Sequence, residues 1–112
     1  MDTAALVELL TVADHFQLQG LGVVVTPHLA LPPGGWKASS HTVLIATPDG
    51  TSREVGAHLE VWHLNIGDPA VAEEKRWPLV LRFPAMTKDE VPIGSRIMIA
   101  QWLRDQIQPP EQ

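Results

Sequence analysis

Alternation of apolar and polar positions dominates the chain and predicts strands joined by glycine and proline turns. Its densest instance is Val12 to Thr26, VADHFQLQGLGVVVT. Phe16 and Leu18 alternate with His15, Gln17 and Gln19. Gly20-Leu21-Gly22 then supplies two permissive backbone positions before the β-branched run Val23-Val24-Val25-Thr26. Period-two segments on either side of a glycine bend predict a β-hairpin. Residues 2 to 11 fit two descriptions. Asp2 or Thr3 caps a short helix with Leu6, Leu9 and Leu10 on one face, or the same residues lead straight into the first strand.

Further along, His28 to Gly35, preceded by Pro27, holds Pro32-Pro33-Gly34-Gly35 and reads as an ordered loop whose far end Trp36 pins. His41 to Ala46 is a strand, and Pro48-Asp49-Gly50 turns it back into a second hairpin. Between Thr51 and Asn65 the period of two puts Val55, Ala57, Leu59, Val61 and His63 on one face. Gly56, His58, Glu60 and Trp62 take the other. A polar crossing through Gly67-Asp68-Pro69 and Glu73-Glu74-Lys75-Arg76 leads to a strand at Pro78 to Phe83. Lys88 to Gly94 is a turn, and Ser95 to Ala100 is a strand with Ile97 and Ile99 facing together. Trp102 to Ile107 reads as a short helix or a tail before Pro109-Pro110. About six or seven strands and no helical period long enough for a crossover predict an all-β protein, a closed or nearly closed antiparallel β-barrel with short helices at the termini. Residues 1 to 112 form one domain, with the barrel core at about 9 to 100 and a tail at 101 to 112.

Composition narrows the functional classes. A chain of 112 residues is long enough to bury one core without covalent staples. With no cysteine, disulfides and thiolate chemistry are excluded, and a reducing, cytoplasmic setting is expected. Leu6-Val7-Glu8-Leu9-Leu10 follows no basic leader and carries a charge, so neither a signal peptide nor a membrane span is expected. Thirteen acids against eight bases give a net charge of −5, and the bases are scattered. Binding to DNA or RNA backbones needs clustered cations, so autonomous nucleic-acid binding is disfavoured.

The hairpin VADHFQLQGLGVVVT resembles the opening hairpin of the second domain of elongation factor Tu and related translational GTPases. HLEVWHLNIGDPAVAEEKRWPLVLRF and KDEVPIGSRIMIA resemble, in the same order, that domain's central strand, its connection with the following apolar-Leu-Arg strand, and its closing strand. The resemblance spans about residues 9 to 100 and implies a translation-protein barrel standing alone. No Gly-x-x-x-x-Gly-Lys-Ser/Thr loop is present, so nucleotide hydrolysis is not expected. In that family the barrel holds the aminoacyl end of transfer RNA in a shallow pocket and packs on a GTPase domain. Carried over, the pocket wall is Leu18, Gly20, Val24, Glu60, His63 and Val80. Leu21 stands where the family has an arginine between the glycines, and His63 where it has a pocket arginine, so two cations are lost. The resemblance therefore implies a barrel that keeps its shape without its transfer RNA contacts.

Other chemistry is sparse. His58 and His63 are separated by an odd spacing that puts them on opposite strand faces, so no shared metal is expected, and no cofactor is implied. Ser39, Ser40, Ser52 and Ser95 sit in no nucleophile motif, and Asp68, Glu73 and Glu74 read as a solvated loop, so no enzymatic role is expected. Trp62 and Trp77, at strand ends, read as barrel packing. Trp36 and Trp102 read as exposed anchors for a protein partner, because tryptophan dominates contact energies at interfaces. The expectation is a non-catalytic protein-binding module, with a translation accessory that binds the transfer RNA acceptor end or a nucleotide as the alternative. An open barrel seam also admits a homodimer.

Overall fold

The computed structural model describes residues 6–62 and 77–108. Seven antiparallel strands form one curled sheet: β1 (Leu6–Thr11), β2 (Asp14–Leu18), β3 (Gly22–Leu29), β4 (Ser39–Ala46), β5 (Ser52–Val61), β6 (Leu79–Phe83) and β7 (Arg96–Ala100). Their order across the sheet is β1-β7-β4-β5-β6-β3-β2. The all-β, nearly closed barrel expected from the alternation is what forms. Its two outermost strands are consecutive in sequence. At Val12 the backbone still bonds to the β7 side, through Val12 N–H to Ser95 O and Gly94 N–H to Val12 O, both 2.8 Å. One residue later Ala13 N–H bonds to Thr26 O of β3, also at 2.8 Å. A single bent strand therefore supplies both margins of the sheet.

Residues 6–11 form a strand, not the helix that Leu6, Leu9 and Leu10 also permit. A register shift between Glu8 and Leu10 against β7 lets the neighbours Leu9 and Leu10 both enter the core, which strict alternation forbids. The inner faces of β3 to β7 follow the period of two: Val23 and Val25, Val43 and Ile45, Ala57 and Leu59, Leu79, Leu81 and Phe83, and Ile97 and Ile99 are all buried in one cluster. A seven-residue helix, α1 (Gln101–Ile107), follows β7 directly and adds Leu103 and Ile107 to that cluster from one helical face.

Two expectations change. The loop placed from His28 begins later, because β3 runs through Pro27 and His28 to Leu29, with a register shift against β6 between Val25 and Leu29 that accommodates residues unable to keep the ladder. In β2 the alternation is that of a strand, but the faces are inverted. His15 and Gln17 pair with the core residues Val25 and Val23, while Phe16 and Leu18 pair with Val24 and Gly22 and point outward. The inward polar groups are satisfied by the segment that follows β6. His15 Nδ1–H donates to Val91 O at 2.7 Å, and Gln17 Oε1 accepts from Lys88 N–H at 2.9 Å. That segment, which includes the 3-10 turn Lys88–Glu90, sends Met86 and Val91 into the core and packs beneath the inward side chains of β2.

Candidate functional sites

Two places on the barrel collect the candidate residues. The first is the outer face of β2, β3, β6 and β5. Cross-strand register sets Phe16 beside Val24, Val24 beside Arg82, Arg82 beside His58 and His58 beside Ser40. One step along, Glu60 lies beside Val80. Leu18, Val24, Glu60 and Val80 are thus gathered on one face, with exposed Gly20 at the hairpin tip; His63 lies outside the described residues. Val24 and Val80 alternate with core residues and so point away from the core, yet they are only 3% and 0% exposed. The aliphatic part of this wall is filled, not open.

A cation that the sequence reading left out of the site stands at its centre. Arg82 Nε–H donates to Glu60 Oε1 at 2.5 Å, and an Arg82 Nη1 hydrogen goes to Leu21 O at 2.9 Å, tying the hairpin tip to the central strand. Burial pushes the Glu60 carboxyl up. Hydrogen bonds from Arg82 and the Trp62 indole, with the charges of Arg82 and His58, outweigh it and leave the group below the usual glutamate range. Glu60 is therefore ionised and committed. His58 Nδ1 lies 3.1 Å from Ser40 Oγ, but its Nε2 is 3.9 Å from Glu60 Oε1, beyond hydrogen-bond reach. This Ser-His-Glu line lacks an orienting acid, since Glu60 already serves Arg82. The arrangement holds charges in place.

The second place is the end of the barrel beside α1. His41, first of the predicted residues of β4, lies near the start of that strand and bonds through Nε2 to Ser39 Oγ at 2.8 Å. The Trp102 ring meets it edge-on, with centroids 6.3 Å apart and planes at 65°. Helical geometry accounts for the exposure of Trp102: Leu103 and Ile107 take the core-facing side of α1, which turns their neighbour outward, 57% exposed. Burial, then the charge of His58, lower the His41 pKa below the ordinary imidazole value, so the ring is neutral at pH 7. Beside it Trp36, Lys37, Ser39, His41 and Gln106 line a depression of about 330 Å³. Trp36 differs from the exposed anchor expected of it. It packs on the core cluster, half-buried, and its indole N–H is enclosed without an acceptor.

No protein-family model, curated protein or solved structure matches the chain. Function therefore rests on the geometry of these two places. Among the described residues no helix is long and apolar enough to cross a membrane, and no three metal-ligating side chains converge. The turn at Pro48-Asp49-Gly50 carries a further perturbed carboxyl. Hydrogen bonds to Asp49 from the Thr47 hydroxyl and then from the Thr51 backbone and hydroxyl lower its pKa to about 2. Those donors all belong to the turn itself, which makes the group a turn lock.

Proposed function

We propose that this protein is a non-catalytic, cytoplasmic binding module that docks a protein partner through the barrel end carrying Trp102, His41 and Trp36. The observation that carries the reading is Trp102, a large aromatic that stays exposed while its ring is held by His41. Exposed apolar area with restricted side-chain freedom is what an interface anchor needs, because little conformational entropy is lost on binding. The resemblance to the second domain of elongation factor Tu supports the same assignment in part, as a barrel of that type turned from transfer RNA to a protein. Against the acceptor-end alternative stand the filled positions of Val24 and Val80 and the pairing of Arg82 with Glu60, which leave, among the described residues of that face, neither an open slot for a base nor a free cation for a phosphate.

Affinity capture from lysate with wild type, Trp102→Ala and Leu18→Asp, with bound protein and RNA both identified, tests the reading. One protein is expected with wild type and Leu18→Asp and is expected to be lost with Trp102→Ala. An unchanged protein set with Trp102→Ala, or transfer RNA recovered with wild type and lost with Leu18→Asp, refutes it.

A further inference from the structure

We infer that the open edge of β5 receives an extended segment of a protein partner, added to the sheet as a further strand with apolar side chains at alternate positions. β5 pairs with β4 from Ser52 to Leu59, but with β6 only from His58 to Val61. The second ladder stops for a chemical reason. Continued by two residues, the His58–Arg82 register sets Pro84 opposite Gly56, and proline has no N–H to give. The chain turns away there, with Met86 N–H donating to Phe83 O at 3.3 Å. The bond from Thr47 N–H to Thr51 O, 2.8 Å, fixes the phase of the β4–β5 ladder, so that Arg53, Val55 and Ala57 bond to β4. Glu54 and Gly56 therefore turn their N–H and C=O groups to the open side, where among the described residues no strand meets them.

Gly56 supplies an independent observation. It lies in the interior of a strand, where glycine is unfavourable, and it is exposed. Its φ is not among the positive ones, and a Cβ built on it meets nothing within 4 Å. Neither conformation nor packing within the described chain calls for glycine there, and a strand glycine of that kind marks the close approach of another backbone. Beside it Val55, Ala57, Pro84, Ala85 and Met86 line a depression of about 350 Å³. The Arg53–Glu90 ion pair, 3.0 Å long, ties β5 to the 3-10 turn at one end of this gap. Unpaired N–H and C=O groups in strand register call for a peptide backbone, and the apolar lining takes every second side chain of it. An extended segment fits the gap, whereas a strand of a second barrel would bring its own sheet against Pro84, Ala85 and Met86.

The test titrates isotope-labelled protein with the capped peptide Thr-Val-Thr-Val-Thr and, as control, with the same peptide N-methylated at its threonine amides, the ones that pair with Glu54 and Gly56 when the valines face inward. Saturable shifts of the Glu54 and Gly56 amide resonances, with slowed solvent exchange at both, are expected with the first peptide. Affinity is expected to fall about tenfold or more with the methylated peptide and in Gly56→Pro, which removes one edge donor and leaves the β4 ladder intact, and to persist in Gly56→Ala. No response, equal responses to the two peptides, or full binding by a folded Gly56→Pro overturns the inference. Protection of these amides that rises with protein concentration in the absence of peptide overturns it in favour of a second copy of the chain. Trp102→Ala is expected to bind the peptide as wild type does, so the β5 edge and the Trp102 face stand or fall separately.

Discussion

The glycines of the first hairpin offer a paired perturbation whose outcomes differ for a structural reason. Gly20 and Gly22 have φ of 81° and 89°, so alanine at either costs about 1–2 kcal/mol of backbone strain, partly offset by a stiffer unfolded chain. At Gly20 an added Cβ meets nothing within 4 Å. At Gly22 it falls 2.2 Å from Phe83 O and 2.7 Å from Pro84 Cα, both main-chain atoms of the adjoining strand and its end. Restoring ordinary contact requires the backbones to part by more than an ångström, next to the Val23–Phe83 pair of the β3–β6 ladder. Loss of one or two ladder hydrogen bonds at about 1 kcal/mol each, with packing strain of about 1–3 kcal/mol, brings Gly22→Ala to about 3–5 kcal/mol. Gly20→Ala is expected to lose about 1 kcal/mol. Urea unfolding followed by tryptophan fluorescence reads the difference. With a slope of about 1–2 kcal/mol/M the Gly22→Ala midpoint falls by about 1.5–5 M. Equal losses for the two variants would refute the close approach of β3 to β6.

Three further outcomes are expected. A double-mutant cycle of Glu60→Gln and Arg82→Met, read by denaturant unfolding at pH 7, gives a coupling of about 1–2 kcal/mol for a partly buried, hydrogen-bonded pair; a coupling near zero denies the tie. Because the folded Asp49 pKa lies below its unfolded value, its contribution is present above about pH 4 and is lost as pH falls towards 2. Carboxyl resonances place its midpoint near 2 in wild type and higher in Thr47→Val. On α1, Leu103→Ala costs about 2–5 kcal/mol while Trp102→Ala changes stability by under about 1 kcal/mol, as thermal unfolding shows. Similar losses at the two neighbours would contradict the helix orientation.

The strands were legible where one face meets the core, as at Val55, Ala57 and Leu59 or Ile97 and Ile99, because alternation records burial directly. Reading β2 correctly as to face was out of reach. Its inward His15 and Gln17 are bound by Val91 and Lys88, residues far along the chain whose arrival no local pattern announces. Pro27 suggested a strand end, but a local register shift absorbs the missing donor. Arg82 escaped notice as a site residue because its importance lies in cross-strand register, which places it against Val24 and His58. Trp36 and Trp102 looked equivalent, since a lone tryptophan beside a loop or a short helix carries no period. Only the packing of the 30–38 loop and the face taken by Leu103 and Ile107 separates the half-buried one from the exposed one.

The bend at Val12 and Ala13 also governs the order in which the molecule can be assembled. Beyond it, β2 and β3 zip together through a tight turn, so half of the bent strand finds its partner as soon as both have been synthesised. The other half waits for β7, since Glu8 pairs with Met98. Throughout synthesis of the intervening chain β1 remains an unpaired ribbon with apolar Leu9 and Leu10 uncovered, and closure proceeds at the pace of the most distant contact in the sheet. Nascent chains stalled before β7 are therefore the species most exposed to edge-to-edge association, and a chaperone that shields a short apolar strand would act on them before any other part of the molecule needs help.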